Sequence, residues 1–387
     1  MDETRKLQNR KKNLIRIVTL AIFALVLIIC DVALLIHHDK PFSQRENRVL
    51  QQAPELTGAS VTSGKYMTEA EDFISDQFFA RDWWISYKLN TDKLIGKKES
   101  NGIYLGKNGY LIENAAKTRE PNFGDNLAAI NAFADKYRSS ARIIMTVIPN
   151  AVSVCSQLLP SGAPVLDQRA VISEIQGTVG DHLEYVDLFE NLREHNTEYI
   201  YYKSDHHWTS LGAKYAFEAL KPVMALEGED PAFTEYIVTN DFSGTMASAS
   251  GAAYVKDPIS IYVPDNDLEY VVEYVGQNLK KATIFDSASL EGNSKYEVFF
   301  GGNFPLIKIR TTAENKRNLL VFKDSYANAF MQFLLPYYGT IYMVDPRYYS
   351  DDIDSLISTG EITDILFLYN VNTFAEDNSI ASVLADE

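Results

Sequence analysis

The chain has 387 residues, of which 46% are hydrophobic, so it is long and apolar enough for a large folded domain and is not generally disordered. Its formal net charge is −16; up to Arg16 the chain carries six basic residues against two acidic ones, which leaves −20 for the remainder. So acidic a body argues against nucleic acid as a partner, because the phosphates would repel it. The two cysteines, Cys30 and Cys155, cannot form a disulfide framework.

The N-terminal segment has the pattern of a membrane anchor. Residues 1–16 are basic and polar, and residues 17–36 are almost wholly apolar; about 20 such residues suffice to span a bilayer. The basic residues before the apolar run predict a cytoplasmic N-terminus and an extracellular body, held at the cell membrane by a single-pass signal anchor. A cleaved signal peptide is the alternative, but the run is long for one and no small-x-small site follows it.

The remainder divides by its patterning. Residues 37–100 predict a polar stalk followed by a membrane-proximal helical segment over 64–96, and residues 101–387 predict one large domain. After the Asn101–Leu111 hairpin, strands such as Arg142–Ile148 and Thr340–Val344 alternate with amphipathic helices, which predicts an α/β fold with a parallel central sheet covered by helices. Short β-rich runs break this rhythm at about 225–315, among them Ile259–Val263, Ala282–Phe285 and Tyr296–Phe300. They predict an antiparallel insertion that either shapes a substrate groove or caps a sheet edge.

One short stretch places an acid and two imidazoles together: Asp205-His206-His207-Trp208. An apolar helical run follows from Ala213, and Thr209 or Ser210 can cap it. A carboxylate two residues before an imidazole can fix the tautomer of that imidazole and stabilise its charged form. The alternative interpretation is a polar loop with two surface histidines.

A candidate nucleophile, Ser325, lies at a predicted turn between a strand over Asn318–Phe322 and a helix over Ala327–Leu335. A sharp strand-to-helix turn exposes the hydroxyl oxygen and directs backbone N–H groups towards it. The alternative is a helix N-cap, which is the commoner role of a serine in this position.

A serine needs a base to remove its proton. His207 or His206 could be that base, with Asp205 as its orienting partner. Asn370, at the end of the last predicted strand, could donate its amide N–H to an oxyanion, although an asparagine there is more often a turn residue.

The tetrapeptide resembles the signature of the DHHW proteins, which are similar to alginate O-acetyltransferase-type proteins of the SGNH hydrolase/acyltransferase superfamily. The resemblance covers most of the chain after the anchor and implies an SGNH-like three-layer sandwich with a permuted motif order. Further segments that look family-like are Phe42–Arg48, Ser75–Phe78 with Arg81-Asp82, Asn101–Leu111, Gly301–Asn303 and Lys323–Asn328.

The resemblance also implies roles for single residues. It makes Asp205 the orienting acid, His207 the base and Ser325 the nucleophile, and it assigns the oxyanion to the Ser325 backbone N–H and to Asn370. Lys323 replaces the glycine usual before the Asp-Ser pair, and no Gly-x-Asn-Asp block is complete. The secondary candidates of these motifs are His206, Trp208, Lys323, Asp324, Tyr326, and Asn372 as the rival of Asn370.

The implied function is O-acetylation of an extracellular polysaccharide through an acyl-enzyme, without a cofactor. The family implies a membrane-bound O-acyltransferase partner that carries acetyl groups outward. A glycan esterase with the same triad and a non-catalytic glycan-binding or assembly protein are the alternatives. Asp-His-His also resembles the manganese-dependent DHH phosphoesterases, but the further ligands that those enzymes need are not apparent, so no metal is predicted.

Overall fold

The computed structural model describes residues 2–36, 38–43, 48–114, 123–227 and 230–385. The chain divides into two compact units, one up to Lys88 and one from Leu89 onwards. Of the family-like segment Phe42–Arg48, residues 44–47 lie outside the described ranges.

The first unit contains one long N-terminal helix and several short elements. In chain order its elements are α1 (Asp2–Ile36), β1 (Phe42–Ser43), β2 (Arg48–Val49), α2 (Gly58–Thr62), α3 (Lys65–Asp76) and the larger part of α4 (Arg81–Leu94). By length and composition, α1 can cross a membrane between Arg10 and Cys30, and no other helix in the described ranges meets that test. An N-terminal apolar helix is therefore present, as the sequence predicts. It begins before the apolar run, because the Lys, Arg and Gln residues there are good helix formers.

The predicted helical segment over 64–96 consists of two helices, α3 and α4. The break falls at residues 77–80, and Ala80 takes a left-handed conformation with φ = 54°. The cause is tertiary. The buried amide of Gln77 donates to the carbonyl groups of Lys40 and Gln51 at 2.9 and 3.0 Å, which holds the end of α3 against an earlier segment.

The second unit contains thirteen strands and ten α-helices within the described ranges. Its strands are β3 (Glu99–Ser100), β4 (Ile103–Leu105), β5 (Leu111–Glu113), β6 (Arg142–Ile148), β7 (Glu184–Tyr185), β8 (Phe233–Phe242), β9 (Asp257–Pro264), β10 (Tyr270–Tyr274), β11 (Leu279–Lys281), β12 (Leu306–Thr311), β13 (Asn318–Lys323), β14 (Thr340–Val344) and β15 (Asp364–Asn370). Its helices are α5 (Phe123–Tyr137), α6 (Ala151–Val154), α7 (Gln168–Val179), α8 (Phe189–Glu194), α9 (Ser210–Val223), α10 (Thr245–Ser250), α11 (Tyr326–Phe330), α12 (Ile353–Thr359), α13 (Val371–Glu376) and α14 (Ile380–Leu384).

The central sheet is mixed. Its eight strands run in the order β11-β10-β12-β14-β13-β15-β6-β7. The five from β14 to β7 pair in parallel, whereas β12, β10 and β11 pair antiparallel along one edge. The predicted parallel sheet is therefore confirmed for five strands. The three antiparallel strands come from the predicted antiparallel insertion and extend one edge of the central sheet, whereas β8 and β9, from the same region, form a separate pair.

Two β-runs predicted within that region are not strands. Tyr296 to Phe300 begins with a 3₁₀ turn over Lys295–Val298, and Ala282 to Phe285 contributes a single bridge between Phe285 and Phe299. Three aromatic side chains that favour a strand there, Tyr296, Phe299 and Phe300, are buried in the core. Tertiary packing has overridden the local β-propensity.

Successive side chains of the parallel strands face two different hydrophobic cores in alternation. Ile144 and Val321 face the core that includes residues of α9 and α11, and Met145 and Phe322 face the core that includes residues of α5, α7 and α12 to α14. Helices thus cover both faces of the sheet, giving three layers. The strands β13, β15 and β6 are neighbours, so their carboxyl ends meet at one edge, where such sheets place ligands.

Candidate active site

The loop with the two histidines is a tight turn that leads into α9. A bridge joins Tyr201 to Trp208, and Thr209 caps α9 by accepting a hydrogen bond from the backbone N–H of Gly212. The buried carboxylate of Asp257, at the start of β9, accepts from the backbone N–H groups of Lys203 at 3.0 Å and Ser204 at 2.7 Å. Asp257 therefore fixes the loop from outside the motif. The alternative of two surface histidines does not hold, because only 6% of His207 is exposed.

Asp205 binds the imidazole of His207. Its Oδ1 lies 2.6 Å from Nδ1 of His207 and accepts the backbone N–H of His207 at 3.1 Å. Its Oδ2 accepts the backbone N–H of Thr245 at 2.8 Å and the hydroxyl of Thr245 at 3.1 Å. Burial alone would raise the pKa of Asp205, but the two neighbouring histidines and these hydrogen bonds outweigh it and hold the pKa far below its usual value. The carboxylate is therefore ionised at neutral pH.

His207 joins the carboxylate to the predicted nucleophile. Its Nε2 lies 2.8 Å from Oγ of Ser325, although the two residues are 118 positions apart. The imidazole stacks on the ring of Tyr296, with centroids 3.9 Å apart and planes inclined by 13°. The Tyr296 hydroxyl donates to the backbone carbonyl of Ser325 at 3.1 Å. One buried tyrosine thus supports both the base and the turn that carries the serine.

Ser325 lies between β13 and α11 with φ = −66° and ψ = −18°, an ordinary helical conformation. Its side chain makes no capping hydrogen bond, so the N-cap alternative does not describe it. The preceding carboxylate, Asp324, accepts the backbone N–H of Tyr326 at 2.9 Å and that of Asn370 at 2.8 Å. Burial raises the pKa of Asp324. Asp324 therefore ties the turn to the end of the neighbouring strand and does not touch His207 in any hydrogen bond of the described residues.

Asn370, which ends β15, and Asn372, in α13, are engaged in hydrogen bonds with neighbouring groups. Oδ1 of Asn370 caps α13, accepting from the N–H groups of Asn372 at 3.0 Å and Thr373 at 3.4 Å, and its Nδ2 donates to the Ile148 carbonyl at 3.1 Å. Asn370 thus serves as a turn and cap residue, and one amide hydrogen of Nδ2 remains beyond that bond. The Oδ1 of Asn372 accepts from Gln168 at 2.8 Å.

Lys323, found in place of the expected glycine, is fully buried beneath the turn. Its Nζ lies 3.3 Å from the carboxylate of Asp345 and donates to Oδ1 of Asn303 at 2.9 Å and to Oδ1 of Asn328 at 3.1 Å. Burial lowers the pKa of Lys323, and Asp345 opposes that change. The amine thereby links β13, α11, β14 and the Gly301–Asn303 turn around the nucleophile.

Two aromatic candidates join the motifs to each other. The indole of Trp208 donates to the backbone carbonyl of Tyr326 at 2.9 Å, and the Tyr326 hydroxyl donates to the carbonyl of His206. The amide of Asn150 donates to that same hydroxyl at 3.2 Å. Trp208 and Tyr326 therefore hold the histidine loop and the serine turn in register.

Sequence reasoning missed four residues of this site: Thr245, Asp257, Tyr296 and Gly244, whose backbone packs directly against the side chain of Asp205. All four fall in the β-rich region, where no local motif marks them. Asp257 lies two residues before the predicted β-run Ile259–Val263, and Tyr296 lies at the start of another predicted β-run. Their functions depend on contacts across 29 to 53 positions, for which a single sequence holds no signal.

Carboxylate and imidazole atoms also form the one group in the described ranges that could hold a metal ion. The ligand atoms of Asp205, His206 and His207 lie within 4.8 Å of one another. Both ring nitrogens of His207 are already hydrogen-bonded, to Asp205 and to Ser325. The donor set fits a proton-transfer chain better than a metal centre, which needs free lone pairs on its ligands.

The fold and the site together define an α/β protein with a Ser–His–Asp chain of hydrogen bonds at the carboxyl edge of its parallel strands. The chain belongs to the DHHW protein family, whose profile matches residues 117–344. The resemblance to that family and to the alginate O-acetyltransferase-type proteins is thereby confirmed.

Three known proteins illustrate this relationship. A DHHW family protein from Eubacterium siraeum is 25% identical with a TM-score of 0.64, covering 75% of this chain and 98% of its own. PatB1 of Bacillus cereus, solved with a sulfonyl adduct, shares the fold at 21% identity with a TM-score of 0.58, covering 73% and 99%. The probable alginate O-acetylase AlgJ of Pseudomonas syringae pv. tomato is 23% identical over 201 residues, 49% of this chain and 51% of that protein. The chain thus spans about half the length of this curated relative.

Proposed function

We propose that this protein is a membrane-anchored serine acyltransferase of the SGNH type that O-acetylates an extracellular polysaccharide. The observation that carries the proposal is the hydrogen-bond chain Asp205–His207–Ser325, with distances of 2.6 and 2.8 Å. These distances lie within the reach that proton transfer requires. The order of the residues along the chain, with acid and base before the nucleophile, corresponds to a permuted SGNH arrangement.

In the first half-reaction, Oγ of Ser325 attacks the acetyl carbonyl of the donor while Nε2 of His207 takes the hydroxyl proton. Asp205 stabilises the imidazolium that forms. The Ser325 backbone N–H and the remaining amide hydrogen of Asn370 are the donors proposed for the oxyanion. The leaving group departs with the proton from His207, which leaves an acetyl ester on Ser325.

In the second half-reaction, a sugar hydroxyl gives its proton to His207 and its oxygen attacks the acetyl-enzyme. Collapse of the intermediate breaks the bond to Ser325, and His207 returns the proton to the serine. The acetyl group is then an ester of the sugar. No step uses a cofactor. Support for the acceptor class comes from the curated relative, which is a probable alginate O-acetylase.

Trapping of the serine tests the proposal. The full chain in detergent is treated with an aromatic sulfonyl fluoride, and the adduct is mapped by peptide mass spectrometry; PatB1, which shares this fold, has been solved with a sulfonyl adduct. We expect the adduct on Ser325 in the wild type, none in Ser325→Ala, and a rate at least about 100-fold lower in His207→Ala. Ser294→Ala is the matched control. An adduct that persists in Ser325→Ala would falsify the scheme.

The same preparation separates transfer from the esterase alternative. A chromogenic acetyl ester is supplied with and without oligosaccharide acceptors, and both acetate release and acetylated sugar are measured. Constant hydrolysis without acetylated sugar would assign an esterase. Retention of cell-surface function by Ser325→Ala would assign a non-catalytic glycan-binding or assembly protein.

The proposed location is the outer face of the cell membrane, with the N-terminus in the cytoplasm. The basic residues that precede the apolar part of α1 support this orientation. A membrane-bound O-acyltransferase partner would then supply acetyl groups, because acetyl-coenzyme A is confined to the cytoplasm. A C-terminal alkaline phosphatase fusion should be active, whereas phosphatase activity confined to an N-terminal fusion would reverse the orientation.

A further inference from the structure

A groove with a volume of about 740 Å³ lies beside the triad in the second unit. Its described wall includes Glu113 at the end of β5, His206 and Thr245 next to Asp205, Arg347 after β14, and Asn372 in α13. The histidine loop thus forms part of the groove wall, and the size of the groove is that of a pocket for a small ligand or a few sugar units. His206 is the imidazole on this wall.

The hydrogen bonds of Thr245 determine which nitrogen of His206 carries the proton. The Thr245 hydroxyl has one proton, and it donates that proton to Oδ2 of Asp205, an ionised carboxylate and the strongest acceptor within reach. Its oxygen also lies 2.8 Å from Nδ1 of His206. Because the hydroxyl proton is already committed, Nδ1 must be the donor, and Nε2 of neutral His206 carries a lone pair.

The same tautomer occurs in the neighbouring imidazole. His207 donates from Nδ1 to Asp205 and accepts at Nε2 from Ser325. The centroids of the two rings are 4.0 Å apart. Nε2 of His207 is therefore occupied by the serine, whereas Nε2 of His206 has no hydrogen-bond partner in the described part of the chain. The His206 side chain is 31% exposed, on the groove wall.

The charge of His206 is consistent with an acceptor at Nε2. Burial lowers the pKa of His206 and the adjacent His207 lowers it further, while Asp205 and Glu113 oppose the change. A neutral imidazole keeps its lone pair at neutral pH. A free lone pair beside a general base suits a ligand that offers hydroxyl groups.

We propose that His206 binds the acceptor: its Nε2 accepts a hydrogen bond from one hydroxyl of a pyranose in this groove, next to the hydroxyl that His207 deprotonates. This inference rests on the proposed function and adds the side from which the sugar enters and the chemical class of acceptor. The acceptor is a sugar with vicinal hydroxyls, because neighbouring hydroxyls on one ring can face the two adjacent imidazoles. His206 is then a substrate-binding residue, distinct from the base.

Two substitutions separate binding at Nε2 from the contact with Thr245. The amide of asparagine occupies the place of Nδ1, and the amide of glutamine reaches the place of Nε2. His206→Asn therefore keeps a donor for Thr245 and removes the groove-facing acceptor. His206→Gln removes the donor for Thr245 and keeps the groove-facing acceptor. His195→Gln is the matched control, because His195 is bonded to Glu198 and stacked on Tyr215 at the surface.

The measurement is the partition of acetyl groups between sugar and water. The full chain in detergent receives an aryl acetate as donor and, in separate reactions, cellopentaose, xylopentaose or an oligomannuronate as acceptor; each offers vicinal hydroxyls at C2 and C3. Acetylated sugar is quantified by mass spectrometry and acetate release by a coupled assay. With the best acceptor, we expect the transfer-to-hydrolysis ratio to fall about tenfold in His206→Asn, with a raised KM for the sugar, and to stay within about threefold of wild type in His206→Gln.

The outcomes distinguish this inference from the proposed function. If the wild type transfers acetyl groups and Ser325→Ala does not, the proposed function stands. The comparison of the transfer-to-hydrolysis ratios of His206→Asn and His206→Gln then decides the inference. The inference would be overturned if His206→Asn kept the wild-type transfer-to-hydrolysis ratio, or if this ratio fell as far in His206→Gln as in His206→Asn. His206 would then serve only to support Thr245. Transfer to none of the three sugars would overturn the transferase function, and with it this inference.

Discussion

Gly244 touches Asp205 so closely that a Cβ on the glycine would lie 2.6 Å from Cγ of the aspartate, and closer still to its Cβ and Oδ2. The glycine has φ = −81° and ψ = −171°, extended backbone that any residue adopts. Its lack of a side chain is therefore required by the close approach and not by the dihedral angles. This approach places the backbone N–H of Thr245 within 2.8 Å of the carboxylate.

Gly244→Ala should impair the triad although none of the three triad residues is substituted. The added methyl group must displace either Asp205 or the start of α10, and either movement breaks the hydrogen bonds that hold the carboxylate. We expect sulfonylation of Ser325 to slow at least about tenfold. Gly177→Ala is the control: this exposed helical glycine has nothing within 4 Å of an added Cβ. That change should leave labelling unaltered and stabilise α7 by about 0.5–1 kcal/mol. Equal labelling rates in the two variants would contradict the argument.

The two contacts of Tyr296 predict that two substitutions of this residue slow the labelling of Ser325 to different extents. Burial raises the pKa of Tyr296, so its hydroxyl remains protonated and donates to the Ser325 carbonyl. Tyr296→Phe keeps the stack on His207 and loses that bond, so labelling should slow by about two- to fivefold. Tyr296→Ala also leaves a cavity beside the imidazole and should slow labelling by about 100-fold.

Tyr236→Phe, at a tyrosine that is 53% exposed in β8, controls for the loss of a hydroxyl. It should label at the wild-type rate. Tyr296 would have no role in positioning the base if its Phe and Ala variants slowed the reaction to the same extent.

Asp205 should make stability depend on pH in a particular direction. Its pKa is lowered in the folded protein, so its contribution is present above the unfolded pKa of about 4 and is lost as the pH falls towards the folded value. Asp205→Asn should therefore lower the free energy of unfolding by about 2 kcal/mol at pH 7. The difference from wild type should shrink below about pH 4.

Urea unfolding of the full chain in detergent, followed by tryptophan fluorescence from pH 3 to 7, measures this difference. A gap between the two proteins that stays constant across this range would contradict an ionised, hydrogen-bonded carboxylate at position 205.

The buried amine beneath the serine predicts a loss of stability. Lys323→Met removes a hydrogen-bond donor from Oδ1 of Asn303 and from Oδ1 of Asn328. It also removes one of the two cations on Asp345, which keeps its two hydrogen bonds from Arg347 at 2.8 and 2.7 Å. Removing one member of a buried ion pair costs about 3 kcal/mol, so we expect a loss of that size in the free energy of unfolding.

Lys280→Met is the surface control, at a lysine that is 58% exposed and lies 3.2 Å from Glu273. It should change stability by less than about 0.5 kcal/mol. Comparable losses in the free energy of unfolding of Lys323→Met and Lys280→Met would show that the buried network contributes no more to stability than a surface ion pair.

Much of the architecture follows from local pattern. The bounds of β6 and β14 agree with the predicted strands, since apolar runs between turn residues have a strong signal. The Asn-Gly turn was also predictable: Asn101 and Gly102 have φ of 53° and 77°, which few other residue pairs accept. The β-rich region was not. Its strands β10 and β12 find their partners across the sheet, and pairing across such separations depends on burial that no local window contains.

By itself the sequence determined the order of the elements, the apolar helix and the residue types of the site, because these depend on neighbours along the chain. Only the tertiary structure decided that His207 meets Ser325, since two faces of one sheet had to be buried before segments 118 positions apart could come together. It also decided the support of the site. Gly244 and Asp257 have no motif, and their functions exist only once the β-rich region folds against the histidine loop.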